Sequence, residues 1–259
     1  MSEKLVIVTG SSRGIGQGIA KVLCEEGYHV AGIDIRPGDE TAQLVGRNFT
    51  HFACDLADPT AITRTFAQID DVYTAAPWGL VYVAGVGPEI AYLDTTPEMF
   101  DTVMAINVRG MFFAGQEAAR RMRDVGVGRI INIASTASVQ GWAHMTAYGA
   151  SKGAVLLLTR NMANELAEHG ITVNAVGPGT IDTPLAANVI ANPDWVASEL
   201  GRTPIRRFGT PFDIANGVRF FLRDDADWVT GQTLYIDGGF LSCGGPSLPS
   251  MQGHRSIDR

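Results

Sequence analysis

LVIVTGSSRGIG, the stretch from Leu5 to Gly16, decides the fold of this 259-residue chain. Its apolar first half is typical of a strand buried on both faces, and the residues from Gln17 to Glu26 have the pattern of a helix. The glycines between them, spaced Gly-x-x-x-Gly-x-Gly, let the backbone approach a pyrophosphate, whose charge the N-terminal end of a helix favours. A strand-to-helix turn also needs glycine for its own geometry, so the motif alone leaves both interpretations open. The turn residues expected to contact such a cofactor are Gly10, Ser12, Arg13, Gly14, Ile15 and Gly16.

Short apolar runs alternate with helical patterns along most of the chain. Such alternation predicts parallel strands joined by crossover helices, with both faces of the sheet covered. We therefore predict an α/β fold, a Rossmann-type doubly wound parallel sheet of about seven strands with helices on both faces, in a single domain. The predicted strands span residues 5–9, 29–34, 49–54, 80–83, 129–133, 172–176 and 233–236.

Residues 1–240 are predicted to form one dinucleotide-binding and catalytic domain, because no linker, charge block or repeat divides them. Within this domain, residues 183–210, here called the flap, carry three prolines around a short helical stretch and are expected to cover a site. Residues 241–259 are predicted to be a C-terminal tail that is either disordered or packed on a neighbouring subunit.

The composition argues against several classes of function. Acidic residues outnumber basic ones by 27 to 20, and the resulting net charge of -7 disfavours nucleic acids and anionic membrane surfaces as partners. No apolar run approaches the ~18 residues of a membrane span, and the N-terminus leads directly into the first strand, so no signal peptide is expected. The three widely spaced cysteines, Cys24, Cys54 and Cys243, predict neither disulfides nor a metal site, and the expected location is a reducing compartment, the cytoplasm.

Asp34 ends the second predicted strand, at the distance expected for a carboxylate that accepts hydrogen bonds from the ribose hydroxyls of a dinucleotide. A carboxylate there repels a 2′-phosphate, which favours NAD over NADP, although the guanidinium groups of Arg13 and Arg36 could reach a phosphate. Asp34 has the alternative of a plain turn residue, and helix capping explains Asp55 as well as contact with adenine does. The part of the cofactor site predicted here comprises Asp34, Ile35, Asp55 and Leu56.

Tyr148 and Lys152 lie four residues apart in a helical pattern over residues 146–167, so both side chains project from one face. A phenol with a pKa of ~10 is a weak general base at neutral pH, and a nearby ammonium group favours its deprotonated form. Six tyrosines and three lysines give only about 0.07 such pairs by chance. Ser135 follows the strand 129–133 at the sheet edge where ligands of doubly wound folds bind, and its hydroxyl is a candidate to hold a substrate oxygen. Taken alone, Ser135 is also ordinary for a strand end.

In chain order, the glycine turn, Asp34, Ser135 and the pair Tyr148 and Lys152 resemble the short-chain dehydrogenase/reductase family over residues 4–240. The resemblance implies an NAD(P)-dependent oxidoreductase that reversibly oxidises a secondary alcohol to a ketone, with Tyr148 as general acid/base. The catalytic residues that it implies are Ser135, Tyr148, Lys152 and Asn107, the last of which holds a water in a proton relay. The further cofactor contacts that it implies are Ala84, Gly85, Tyr148, Lys152, Pro178, Gly179, Ile181 and Thr183.

One motif departs from the pattern of that family. After the fourth strand the family usually has Asn-Asn-Ala-Gly, whereas this chain has Tyr82-Val83-Ala84-Gly85. The asparagine side-chain bonds that steady the central sheet must therefore be replaced or lost. The long C-terminal tail is a second departure, which leaves the substrate pocket and the subunit contacts open.

Two other functions stay open on sequence alone. A non-catalytic dinucleotide-binding sensor or assembly protein would keep the fold but is expected to lose the tyrosine, lysine or serine. A sugar-nucleotide epimerase or a methyltransferase would use a related fold with a different glycine turn or without Tyr-x-x-x-Lys.

The substrate is expected to be a small, partly apolar alcohol or ketone whose identity the sequence does not give. The predicted pocket residues are Gln140, Trp142, His144, Met145, Leu185, Val189 and Trp195. Core packing is the alternative for the apolar members of this set. Helices over residues 98–121 and 146–167 imply, by the same resemblance, a homotetramer or homodimer.

Overall fold

The computed structural model describes residues 4–242. The strands in this part of the chain are β1 (Leu5–Thr9), β2 (His29–Asp34), β3 (Phe49–Ala53), β4 (Gly79–Tyr82), β5 (Gly128–Ile133), β6 (Ile171–Pro178) and β7 (Thr233–Ile236). The α-helices are α1 (Gly14–Glu25), α2 (Asp39–Val45), α3 (Pro59–Val72), α4 (Pro97–Met104), α5 (Met111–Val125), α6 (Thr146–Leu166), α7 (Ala187–Ile190), α8 (Pro193–Arg202) and α9 (Pro211–Leu222).

The seven strands of the described residues form one parallel sheet in the order β3-β2-β1-β4-β5-β6-β7. The order reverses between β1 and β4, so the chain leaves these two neighbouring strands in opposite directions. Such a switch point opens a crevice at the carboxyl ends of the strands, where doubly wound folds bind their ligands. The predicted Rossmann-type fold is confirmed.

The first strand joins two separate cores. Leu5 and Ile7 pack on one face of the sheet with residues of α3, α5 and α6, whereas Val6 and Val8 pack on the other face with residues of α1 and α9. All four side chains are fully buried. Burial of each contributes roughly 1.5–3 kcal/mol, which explains why an uninterrupted apolar run, rather than an alternating one, marks this strand.

The helix expected over residues 98–121 is not a single α-helix. It begins at Pro97, where Thr96 accepts a hydrogen bond from the Met99 N–H, and it is interrupted by a π-helical segment, Ala105–Gly110, before α5 continues to Val125. A π-helical turn inserts an extra residue and widens the helix, and such turns are frequent at functional sites. The sequence pattern gave no sign of it, because the apolar spacing continues through the segment.

The flap contains two helices, α7 and α8, and Asn192 caps the second by accepting hydrogen bonds from the backbone of Asp194 and Trp195. After β7 the chain forms a short 3-10 turn, Phe240–Ser242. Of the predicted tail, only residues 241–242 belong to the described part, and the expectation for residues 243–259 lies outside it. Within residues 4–242, no helix is both long enough and apolar enough to cross a membrane.

Candidate active site

The turn after β1 has a backbone that only glycine adopts readily. Gly10 and Gly14 have φ values of +66° and +58°, in the left-handed region. A Cβ on Gly16 would lie 2.1 Å from the carbonyl oxygen of Gly10, so the turn closes on itself at this point. Helix α1 begins at Gly14 without a side-chain cap, and its first turn carries no acidic residue. The N-terminal N–H groups of this helix therefore favour an anionic ligand.

Asp34 is fixed at the end of β2 by two backbone hydrogen bonds. Its Oδ2 accepts the N–H of Ser12 at 3.0 Å, and its Oδ1 accepts the N–H of Arg36 at 2.9 Å. The Ser12 hydroxyl donates to the carbonyl of Arg36 at 3.1 Å and closes the link. Because each carboxylate oxygen has two acceptor positions, both oxygens retain a position for a ligand hydroxyl.

A cavity of about 260 Å³, here called the smaller cavity, lies between the glycine turn and the ends of β2, β3 and β4. The predicted cofactor residues that line it are Gly10, Arg13, Gly14, Ile15, Gly16, Asp34, Ile35, Asp55, Leu56, Ala84, Gly85 and Thr183. Ser12 does not line it, because its N–H and its hydroxyl are both bonded within the protein. The open backbone of the turn and the carboxylate opposite fit a dinucleotide with its phosphates at α1 and a ribose at Asp34.

Several residues of this cavity were not predicted from the sequence, among them Val83, Val86 and Ile106. The first two flank the expected Ala84 and Gly85, so their position after β4 was a usable signal. Ile106 likewise precedes the expected Asn107, and it reaches the cavity from the π-helical segment.

The first residues of the loop after β4 are held by β1, at the place where the expected asparagines are missing. The Thr9 hydroxyl oxygen accepts the N–H groups of Val83 at 2.9 Å and Ala84 at 3.1 Å. This bridge joins the two strands on either side of the switch point. This bridge replaces part of the hydrogen bonding by which the missing asparagines would steady the central sheet. The Tyr82 phenol replaces another part, because it donates a hydrogen bond to the carbonyl of Ile106 at 2.7 Å.

A second cavity, of about 550 Å³ and here called the larger cavity, adjoins the first and shares residues such as Gly85 and Thr183 with it. Of the predicted residues it brings together Ser135, Trp142, His144, Met145, Tyr148, Lys152, Pro178, Gly179, Ile181, Leu185, Val189 and Trp195. Gln140 does not line it, because the chain turns away after Ser138 and the backbone N–H of Gln140 bonds to the carbonyl of Thr136. The polar lining residues Glu89, Asn188 and Asn192 were not foreseen.

Tyr148 and Lys152 lie one turn apart near the start of α6 and both face the larger cavity. The Lys152 Nζ lies 5.8 Å from the centre of the Tyr148 ring and donates a hydrogen bond to the carbonyl of Ile133 at 2.7 Å. The Ser135 hydroxyl lies close enough to the Tyr148 phenol to lower its pKa. The three side chains that the sequence singled out therefore meet at the carboxyl end of β5.

Burial controls the acidity of this group. It lowers the pKa of Lys152 to about 8, and it raises the pKa of Tyr148 above its ordinary value against the opposing effect of the Ser135 hydroxyl. The sequence predicted that the ammonium group would lower the pKa of the phenol. In the protein alone desolvation raises the pKa of the phenol, and the effect that opposes it comes from Ser135, since loss of water penalises the charged form.

Asn107 lies beside Lys152 and Ser151 without lining either cavity. Its amide accepts the N–H of Val86 at 2.9 Å, donates to the carbonyl of Val86 at 2.9 Å and donates to the Ser151 hydroxyl at 3.0 Å. Ser151 in turn donates to the carbonyl of Tyr148 at 2.7 Å. Asn107 thus joins the loop after β4 to the first turns of α6.

Two tryptophans on the wall of the larger cavity are each backed by another ring. Trp142 stacks on Phe240 at 5.5 Å between ring centroids, and Trp195 stacks on Phe208 at 6.1 Å. The Arg202 guanidinium lies 4.4 Å from the Phe240 ring centroid. Phe240 therefore connects the loop before α6 to the last residue of α8.

The flap is also tied to the end of β6. The Thr180 hydroxyl donates to Oε1 of Glu199 at 2.8 Å, and burial raises the pKa of Glu199. Thr180 stands between Gly179 and Ile181, the two residues expected at the nicotinamide, so α8 is anchored directly beside them.

Known proteins match almost the whole chain. The family model described as enoyl-(acyl carrier protein) reductase matches residues 10–241. A 2-dehydro-3-deoxy-D-gluconate 5-dehydrogenase from Escherichia coli is 36% identical over 92% of this chain and 96% of its own length. A 2-(S)-hydroxypropyl-CoM dehydrogenase from Xanthobacter autotrophicus is 35% identical over 93% and 98%. The solved structure of ElxO with NADP bound is 29% identical, with a TM-score of 0.86 over 93% of this chain and 99% of that one. The chain belongs to the short-chain dehydrogenase/reductase family.

Proposed function

We propose that this NAD(P)-dependent oxidoreductase interconverts a secondary alcohol and a ketone with Tyr148 as the proton-transferring residue and NAD as the preferred cofactor. The observation that carries the proposal is the meeting of Ser135, Tyr148 and Lys152 on one wall of a cavity that opens into the glycine-lined one. A non-catalytic sensor has no need of this arrangement, and a methyltransferase has no need of a Tyr-x-x-x-Lys pair in the wall of such a cavity.

Bound nicotinamide supplies the hydride acceptor for the alcohol or, in its reduced form, the donor for the ketone. Ser135 holds the substrate oxygen, and Tyr148 takes the proton from the alcohol or gives it to the ketone. Because burial raises the pKa of Tyr148, its phenol is protonated at neutral pH and ready to act as an acid on a ketone. In the oxidation direction the phenol must lose its proton, and a protonated Lys152 favours the phenolate.

Lys152 is suited to a second contact. One of its three ammonium hydrogens is committed to the Ile133 carbonyl, which leaves two for a ribose hydroxyl or a water. Asn107 is expected to support the proton relay from below Lys152. The dinucleotide would be held by the glycine turn, by Asp34, by the loop containing Ala84 and Gly85, and by the segment from Pro178 to Thr183.

The preference for NAD rests on Asp34. Its carboxylate is held at the rim of the smaller cavity, where a ribose 2′-phosphate would meet its charge. The exposed guanidinium groups of Arg13 and Arg36 line the same cavity and weaken the discrimination. Relatives of known structure include NADP-bound proteins, so the choice of cofactor is a property of this chain to be measured.

Two further properties are proposed, the oligomeric state and the location. A homotetramer or homodimer is supported by the exposed apolar side chains of Phe100, Phe112 and Leu157 on α4, α5 and α6. A cytoplasmic location is supported by Cys24 and Cys54, which are buried free thiols. Burial raises the pKa of Cys24 to about 12, which keeps the thiol unreactive.

The test is turnover of a panel of secondary alcohols and ketones with NAD and with NADP, followed by the absorbance of the reduced nicotinamide. Tyr148→Phe is expected to lower kcat by roughly 10²–10⁴-fold while the Kd for NAD changes little, because the phenol transfers a proton and the ring remains. Tyr92→Phe, at an exposed tyrosine that lines neither cavity, is the control. Brisk turnover by Tyr148→Phe would refute the assignment, and a higher kcat/KM with NADP would refute the cofactor preference.

A further inference from the structure

Tyr82 stands where the family pattern has an asparagine, and its contacts are unusual for a residue at the end of a central strand. The side chain is buried, and its hydroxyl donates to the carbonyl of Ile106 at 2.7 Å. Burial raises the pKa of Tyr82, so the hydroxyl remains a hydrogen-bond donor throughout the neutral range. The bond joins the middle of the sheet to the π-helical segment between α4 and α5.

The space for this phenol is provided by a glycine within the same segment. A Cβ on Gly110 would lie 2.5 Å from the Tyr82 hydroxyl oxygen and 2.4 Å from the carbonyl oxygen of Leu56. Any larger residue at position 110 would therefore displace the phenol or the loop after β3. Tyr82 and Gly110 form a matched pair that holds the π-helical segment against the carboxyl end of β4.

Asn107 is the residue next to the carbonyl that Tyr82 holds. All three of its amide bonds, two to Val86 and one to Ser151, depend on where the π-helical turn places its Cα. Gly85 lies directly above, since a Cβ there would meet Asn107 Oδ1 at 3.2 Å and Lys152 Nζ at 3.5 Å. A shift of the segment would reach the catalytic helix through Ser151 and the cavity wall through Gly85.

We propose that Tyr82 is a positioning residue: its hydroxyl fixes the π-helical segment, and thereby Asn107, under the Gly85–Val86 loop and the face of α6 that carries Tyr148 and Lys152. In this chain a phenol from the sheet does what a shorter asparagine at the same place cannot do, because only a long side chain reaches the Ile106 carbonyl from β4. The role in turnover rests on the proposed function, whereas the role in placing Asn107 does not.

The test removes one oxygen atom by Tyr82→Phe. We expect kcat to fall about tenfold with KM for the substrate and Kd for the dinucleotide within about twofold, because small displacements of a catalytic group cost rate more than affinity. We also expect the apparent pKa in the pH profile of kcat to move, since Lys152 lies beside the displaced loop. Without cofactor or substrate, the backbone N–H of Val86 is expected to exchange with deuterium faster, because its acceptor is Asn107.

Tyr73→Phe is the matched control. Tyr73 also donates a hydroxyl hydrogen bond, to the Thr50 hydroxyl at 2.9 Å, but it lies at the β3 side of the sheet away from both cavities. If the Tyr82 hydroxyl had only a structural role, Tyr82→Phe and Tyr73→Phe would give the same kcat, pH profile and Val86 exchange. The proposal is overturned if Tyr82→Phe keeps the wild-type rate, pH profile and Val86 exchange, or if Tyr73→Phe reproduces its changes. Absence of any Tyr148-dependent turnover in the wild type would instead refute the proposed function, and the exchange of Val86 would still decide the placement of Asn107.

Discussion

The two cavities of this enzyme are built by different means. The smaller cavity is made by backbone: Gly10 donates its N–H to the carbonyl of Ile33 at 2.8 Å, Gly16 closes on Gly10, and Asp34 is held by two N–H groups. All of these residues lie within about one βαβ unit of each other. The wall of the larger cavity depends on side chains brought together from distant parts of the chain: Trp142 lines the cavity, and Phe240 and Arg202 stand behind it.

The difference shows which half of the site can vary. A backbone turn that collides with any Cβ tolerates few sequences, so the half assigned to the cofactor is nearly fixed in residue type. A wall of stacked rings tolerates other rings and other loops. The residues of the half assigned to the substrate can therefore change without disturbing the half assigned to the cofactor. Lys152 lies where the two halves meet, and the predictions begin there.

Lys152→Met is expected to have the largest effect, a loss of roughly a thousandfold in kcat, because it removes the charge that favours the Tyr148 phenolate. It also tests the pKa of about 8. In the unfolded wild type Lys152 holds its proton up to about pH 10.5. Between pH 8 and 10.5 the unfolded wild type therefore binds more protons than the folded wild type. Over this range the free energy of unfolding of the wild type, relative to that of the variant, rises with pH by up to about 3 kcal/mol.

The measurement is urea unfolding of both proteins across that pH range, with Lys21→Met, at a lysine paired with Glu25 on α1, as the control. A stability difference that stays constant with pH would contradict a lysine whose pKa is lowered by burial.

Gly16→Ala tests the backbone-built half. The new Cβ would lie 2.1 Å from the Gly10 carbonyl oxygen and 2.7 Å from its carbon, so the turn must open. We expect the Kd for NAD to rise about a hundredfold and the free energy of unfolding to fall by roughly 1–3 kcal/mol. Isothermal titration with NAD and urea unfolding measure the two effects. The control is Gly201→Ala on α8, where a Cβ meets nothing within 4 Å, and it should leave the Kd for NAD and the free energy of unfolding nearly unchanged. If the two variants changed these quantities equally, the turn would not be rigid.

The same contrast explains how far the sequence could predict the molecule. The fold followed from apolar runs and one glycine motif, because strand burial and left-handed turns impose residue types locally. Tyr148 and Lys152 followed from helical spacing. The position of the segment around Asn107 did not, since the π-helical turn is contacted by a phenol from β4 that is distant in sequence.

The pocket shows the limit most clearly. Gln140 was expected in the wall because it precedes α6, but the local turn carries it away, whereas Glu89 enters the wall from the loop after β4 and Asn188 enters it from α7 of the flap. Which loop residues face a shared cavity depends on how the loops pack on each other. His144 illustrates this dependence, since it adopts a φ of +63° while its carbonyl accepts the N–H of Ile90 from the loop after β4.

Phe240→Leu tests the half built by side chains and is expected to have the smallest effect of the three. Leucine keeps an apolar side chain at this buried position but loses the stack on Trp142 and the contact with the Arg202 guanidinium, worth about 0.5–1.5 kcal/mol for a ring pair and a similar amount for the cation. We expect KM for the substrate to rise about tenfold while the Kd for NAD stays within twofold, because Trp142 lines the larger cavity and not the smaller one. Steady-state kinetics and NAD titration measure the split, and Phe220→Leu, at an exposed ring on α9, controls for the loss of an aromatic side chain. If Phe240→Leu weakened the binding of NAD and of substrate equally, the smaller and the larger cavity would be coupled through the flap. The two cavities would then not be independent of each other.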